Sequence, residues 1–170
     1  MDILVVVDMQ KDFISGALGT KEALSIVPRV AEKIVQAKKA GKTIVFTRDT
    51  HHENYLDTQE GKNLPVPHCI ENTDGWQIDA SLDTAGAMIF DKPSFGSEAL
   101  VRYLKSLPDL QSAEFVGLCT DICVITNVLS AKCALPELPI SVDSACCAGV
   151  TPQSHENALA AMRTCQINIL

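Results

Sequence analysis

The strongest constraint on this chain is an alternation. Short apolar runs of β type recur at residues 3–7, 42–47, 87–91, 113–117 and 139–142, with 167–170 as a sixth, and helical patterns separate them. Val30, Ile34, Val35 and Ala37 have helical spacing and predict a helix over 28–40, with Gly41 as its stop. Ser97 is placed to cap a helix with Leu100, Val101 and Leu104 on its apolar face. Another helix is expected from about 121 to 132, and Thr151-Pro152 opens the last one, proline being tolerated in a first turn. Strand–helix alternation requires right-handed crossovers and a parallel sheet covered on both faces. The expected fold is therefore α/β: a three-layer α/β/α arrangement around a mostly parallel six-stranded sheet. With 170 residues and no repeat, low-complexity segment or interdomain linker, a single domain over 1–170 is expected.

Bulk properties narrow the partners. A net charge of −7 without a basic patch argues against nucleic acid or an anionic membrane surface, because both require clustered cations. Lys38, Lys39 and Lys42 read as the cationic last turn of the first long helix. No apolar run approaches the ~18 residues of a membrane span, and because the chain opens directly on a strand no signal peptide is expected. The seven cysteines follow no disulfide or paired zinc spacing, and Cys119, Cys123, Cys133 and Cys165 lie in apolar stretches where free thiols behave as small hydrophobes. A reducing cytoplasm is the expected home.

Chemistry concentrates at the ends of the β runs. Asp8 follows the first, Asp49 the second, Lys92 the third, and Cys119 and Cys123 the fourth. Ligands of an open parallel sheet bind beyond the carboxyl ends of its strands, near the point where strand order reverses. An acid, an amine and a thiol should therefore converge on one edge. Each has an ordinary explanation alone: an Asx turn for Asp8, a solvated surface amine for Lys92, a buried small residue for Cys123. Together they can act on one another. A carboxylate can take the thiol proton, and an ammonium group lowers both pKa values. The turn Gly117-Leu118-Cys119-Thr120-Asp121-Ile122-Cys123-Val124 puts Cys123 in a helix's first turn, where free N–H groups and the dipole lower a thiol's pKa and can hold an oxyanion. Asp121 is a candidate cap for that helix.

The long polar stretch 48–84 offers a second kind of chemistry. Asp49, His51, Glu60 and His68 supply two imidazoles and two carboxylates, ligands that suit zinc and also manganese or iron. Spacing alone leaves open that these histidines are solvated, or that His52 ligates in place of His51. Trp76 reads as a packing anchor. His155, on the last helix and away from the chemical strand ends, reads as structural or exposed.

The segment from Val6 to Phe13, the run Thr47-Arg48-Asp49-Thr50-His51, the pair His68-Cys69, Lys92, and the turn Gly117–Val124 resemble, in order and across nearly the whole chain, the isochorismatase-like cysteine hydrolases, and most closely their nicotinamidase branch. The resemblance implies a catalytic set of Asp8, Lys92 and Cys123, a cis peptide between Leu118 and Cys119, and an oxyanion hole from the N–H groups of Cys119 and Cys123. It implies a metal held by Asp49, His51, Glu60 and His68, with open positions for water and a pyridine nitrogen, and Cys69 directed away. It implies that Phe13 stacks on the substrate ring, with core packing as its alternative. Relatives often carry a tryptophan shortly before the His-Cys pair. Here the segment is Leu64-Pro65-Val66-Pro67, so Leu64 is expected to form the opposite wall and Phe95 a third. The activity implied is hydrolysis of nicotinamide to nicotinate and ammonia in NAD salvage, by a chain of a family whose members are often homo-oligomers. The alternatives are a related hydrolase of another small amide or carbamoyl group, and a non-catalytic domain that retains the fold.

Overall fold

The computed structural model describes residues Met1–Leu170. Strand β1 (Asp2–Val7) buries Ile3, Leu4, Val5, Val6 and Val7 completely, as expected of a central parallel strand covered on both sides. It pairs with β2 (Thr43–Asp49) on one side and β4 (Ser112–Leu118) on the other. With β3 (Met88–Lys92), β5 (Ile140–Ala148) and β6 (Asn168–Ile169), the order is β3-β2-β1-β4-β5-β6, and every pair is parallel. The helices are α1 (Lys11–Ile14), α2 (Lys21–Lys39), α3 (Gln59–Asn63), α4 (Glu98–Ser106), α5 (Ile125–Ala134) and α6 (Pro152–Thr164).

Alternation along β1 divides the core. Ile3, Val5 and Val7 face a cluster that includes Leu100 of α4, Val128 of α5 and Leu159 of α6. Leu4 and Val6 face the other cluster, filled by Ile26, Val30 and Ile34 of α2. Each such side chain contributes about 1.5–3 kcal/mol when fully buried. The three-layer expectation holds.

Several local expectations do not. Helix α2 begins at Lys21, not at residue 28, and carries Pro28 inside it. The Thr20 hydroxyl caps it by accepting the Ala23 N–H at 3.0 Å. An interior proline costs about 3 kcal/mol. Burial of Ala23, Ile26, Val30, Ile34 and Ala37 along one face offsets that cost. Strand β5 runs six residues beyond Val142, through Asp143 and Ser144, where a loop was expected. Its register against β4 jumps between the Val142–Phe115 and Cys147–Gly117 pairs, so the polar residues occupy a bulge and pairing then resumes. Asp143 and Glu114 on the sheet both bind Lys33 of α2, at 2.6 and 2.8 Å. Lys42 lies beyond the helix and pairs with Glu114 at 2.8 Å. All seven cysteines are free, but Cys133 and Cys165 are exposed and not buried hydrophobes. No helix is long and apolar enough to cross a membrane.

Candidate active site

Strand order reverses between β1 and β4, and the site forms there. At this crossing only glycine fits at position 117. Its φ is +119°, and a Cβ would sit 2.1 Å from the Val7 carbonyl oxygen. That close approach brings the end of β1, and so Asp8, beside the turn leaving β4. The Leu118–Cys119 peptide is cis, as the resemblance implies. A five-residue π-helical turn, Thr120–Val124, then leads into α5 and carries Cys123.

Asp8, Lys92 and Cys123 meet in the interior. Lys92 is 1% exposed, and its Nζ lies 2.7 Å from Asp8 Oδ2, 3.2 Å from Asp49 Oδ1 and 3.5 Å from Cys123 Sγ, while donating to the Ser94 carbonyl at 2.8 Å. Asp8 adopts φ +46°, a left-handed conformation uncommon outside glycine. Its Oδ1 accepts from Thr47 Oγ1 at 2.6 Å, whereas Oδ2 is engaged by the Lys92 ammonium as an ion pair without a well-directed hydrogen bond. Burial raises the Asp8 pKa, Asp49 adds to the rise, and Lys92 opposes it. Burial also pushes the Cys123 thiol well above its ordinary value, aided by Asp8 and Asp49 and opposed by Lys92. The expected lowering is thus reversed: desolvation and two carboxylates outweigh one ammonium and a short turn. A neutral thiol beside a basic carboxylate suits proton transfer on demand.

Asp49, His51, Glu60 and His68 each direct a ligand atom into one cluster whose atoms lie within 4.8 Å of one another. Asp49 Oδ2 lies 2.9 Å from His51 Nε2 and 3.6 Å from His68 Nε2, and Glu60 Oε1 lies 3.5 and 3.6 Å from the same atoms. Two observations fit a divalent metal better than a hydrogen-bond network. His68 engages the Val66 carbonyl through Nδ1 at 2.8 Å, turning Nε2 inward, the usual outer-shell anchoring of a metal-bound imidazole. His51 Nε2 is buried yet makes no properly directed hydrogen bond. Burial alone would lower His51, but Asp49 and Glu60 outweigh it and raise it to about 9, a proton an incoming cation would displace. Burial acts to raise Asp49, yet the adjacent His51 and His68 imidazoles and the Lys92 charge hold it well below the usual carboxylate range. His52 is exposed and faces Glu71, so His51 is the one in the cluster. Cys69 is fully buried outside the cluster.

A cavity of about 600 Å³ joins the two groups, bordered by Asp49, His51, Glu60 and His68 at one end and by Cys119 and Cys123 at the other. Phe13, Leu64 and Phe95 all line it. The Phe13 ring stands 5.5 Å from that of His68, while Leu64 and Phe95 are 39% and 45% exposed and form the mouth. Trp76 is a buried anchor, with its indole N–H donating to Thr50 Oγ1 at 2.8 Å and the Arg48 guanidinium stacked 3.4 Å above its ring. Asp121 does not cap α5; its carboxylate accepts the Val150 N–H at 3.2 and 3.3 Å.

Residues that hold the site together were not read from sequence. The Gln10 amide brackets Asp49, accepting its N–H at 2.7 Å and donating to its carbonyl at 2.8 Å. Tyr55 packs edge-on against both cluster imidazoles, with centroids 4.8 and 5.1 Å away. Asn127 is fully buried, donates to the carbonyls of Cys123 and Phe95, and accepts the Ser97 N–H. A polar residue on the face that also buries Val128 and Ala131 was the available signal for Asn127.

A family model described as the isochorismatase domain matches residues 2–170. The chain belongs to the isochorismatase family. A nicotinamidase of Escherichia coli is 29% identical to it over 94% of this chain and 88% of its own length. A nicotinamidase/pyrazinamidase of Mycobacterium tuberculosis is 25% identical over 100% of this chain and 98% of its own. The crystal structure of a pyrazinamidase of Pyrococcus horikoshii in complex with zinc superposes with a TM-score of 0.87 at 30% identity, covering 99% of this chain and 98% of that one. These relatives place the chain in the nicotinamidase branch of the family.

Proposed function

We propose that this family member is a nicotinamidase, hydrolysing nicotinamide or a close pyridine carboxamide to the acid and ammonia in cytoplasmic NAD salvage. One observation carries the reading: Cys123, backed by the buried Asp8–Lys92 pair, and the histidine–carboxylate cluster line the same cavity, and Asp49 touches both Lys92 and His51. Asp49, His51, Glu60 and His68 would hold the ion, zinc by the chemistry of the donors, with manganese or iron as the other candidates. Once bound, it would supply a Lewis-acid anchor for the pyridine nitrogen.

In the proposed mechanism, the Asp8 carboxylate accepts the proton of Cys123, and the thiolate attacks the carboxamide carbon. The N–H groups of Cys119 and Cys123 hold the oxyanion, each such donor being worth about 2.7–4 kcal/mol in well-studied enzymes. Supporting that role, the Cys119 N–H has no acceptor within the protein. The C–N bond breaks as Asp8 returns the proton to departing ammonia. Asp8 then deprotonates a water that attacks the thioester, releasing the acid and restoring the thiol. Lys92 stays protonated, because burial, which would lower it, is outweighed by Asp8, Cys123 and Asp49. Phe13 stacks on the ring, while Leu64 and Phe95 close the sides.

The test is ammonia release from nicotinamide by purified protein, before and after chelation, with zinc or manganese added back. Metal-restorable turnover that Cys123→Ala abolishes without lowering the melting temperature is the expected result. Folded protein without turnover in any metal state would remove nicotinamide as the substrate.

A further inference from the structure

His155 was expected to stand apart from the site. Its Nδ1 instead lies 2.7 Å from Oγ1 of Thr120, in the turn that carries Cys123. Thr120 is fully buried and directly follows Cys119. A second bond joins the same two regions, from the Val150 N–H to the carboxylate of Asp121. Consecutive residues of the turn are therefore tied to the first turn of α6 and to the connection that precedes it.

That connection is a stiff platform. Thr151 and Ser154 cap α6 reciprocally, with Pro152 in the first turn. Gly149 packs so tightly under His155 that a Cβ there would lie 2.8 Å from the His155 nitrogen. The carbonyl of Cys119 is engaged inside the turn by the N–H groups of Ile122 and Val124, at 3.1 and 3.0 Å. Its own N–H, with no protein acceptor, is held only by what fixes the residues on either side. Leu118 is fixed by β4; the Thr120 carbonyl accepts the Ile125 N–H within the turn, and His155 supplies the tie to its side chain.

The geometry points to His155 as a positioning residue: through Thr120 it holds the Cys119 N–H toward the cavity, where it serves as an oxyanion donor. The inference rests on the proposal that Cys123 is acylated, but it does not depend on nicotinamide being the acyl donor.

The test compares two reactions of Cys123 in the full-length protein, each followed at the Cys123 peptide by mass spectrometry. In acylation by p-nitrophenyl acetate, the thiolate adds to the acetyl carbonyl, an oxyanion forms, p-nitrophenolate leaves and a thioester remains, with the thiol proton passing to Asp8. Alkylation by iodoacetamide displaces iodide and forms no oxyanion. His155→Leu is expected to slow acylation about ten- to a hundredfold, up to the bottom of the roughly hundred- to thousandfold range for deleting one oxyanion donor, because the donor is misplaced and not removed, while leaving alkylation unchanged. Thr120→Val should show the same split, and the double variant should be no slower than either single one, because both cut one bond. His155→Asn, whose amide reaches the Nδ1 position, should restore most of the acylation rate. Acylation at the wild-type rate in His155→Leu, or acylation and alkylation falling together, would overturn the assignment. Nicotinamide hydrolysis is measured alongside. Its absence in the wild type would refute the proposed substrate and leave the acylation comparison standing.

Discussion

Replacing Lys92 with methionine keeps an unbranched side chain one atom shorter and removes its charge. The wild-type ammonium is 1% exposed and lies 2.7 Å from Asp8 and 3.2 Å from Asp49, so its loss leaves two buried carboxylates facing one another. Removing one partner of a buried ion pair costs about 3–5 kcal/mol, chiefly because the remaining charge stays desolvated. With a urea m-value of roughly 2–3 kcal/mol/M for a domain of this size, the unfolding midpoint should fall by roughly 1–2.5 M. The measurement belongs on chelated protein, so that no cation compensates Asp49. Adding Asp8→Asn removes one of the stranded charges. The double variant should therefore be more stable than the sum of the single losses, by about 0.5–3 kcal/mol. An unmoved midpoint in Lys92→Met would refute the claim that a buried ion pair organises the site.

Two further outcomes follow from charge placement. His68→Ala should lower the zinc retained per chain after dialysis, by elemental analysis, whereas the exposed neighbour variant His52→Ala should retain it; equal retention in both would exclude the histidine–carboxylate cluster as the metal site. Acid stability should depend on Glu114 and Asp143. Burial opposes ionisation of each, but Lys33, joined by Lys42 at Glu114, holds both below their ordinary values. Groups with depressed folded pKa values bind more protons when unfolded, so their contribution is complete above the unfolded values and is lost as pH falls. The loss should begin below about pH 4.5, the ordinary glutamate value, and Glu114→Gln should flatten it in urea titrations between pH 5 and 3. Parallel slopes for the two proteins would refute the assignment.

The fold was legible because five apolar strands announce themselves by composition, and the strand ends that carry chemistry are a property of parallel sheets in general. What stayed hidden shares one cause: the deciding contacts are distant in sequence. Pro28 looked like a helix start because the face it interrupts is visible only once packed against β1 and β4. The end of β5 looked like a loop because Asp143 is polar, and its justification is Lys33 on another element. His155 looked irrelevant because its partner, Thr120, is 35 positions away. The thiol's direction of shift was misread for the same reason, since two carboxylates from other strands surround it.

Asp49 has consequences for how the site can be dissected. One of its carboxylate oxygens faces Lys92 and the other faces the two imidazoles. Changing Asp49 cannot report on either proposed function alone, because a defect in metal binding and a disturbed Cys123 environment would arrive in one variant. Glu60 and His68 touch only the metal side, and Asp8 only the thiol side, so these are the positions from which the two halves can be taken apart genetically. By the same reasoning, a compensating change for a lesion in one half is to be sought across Asp49, in the other.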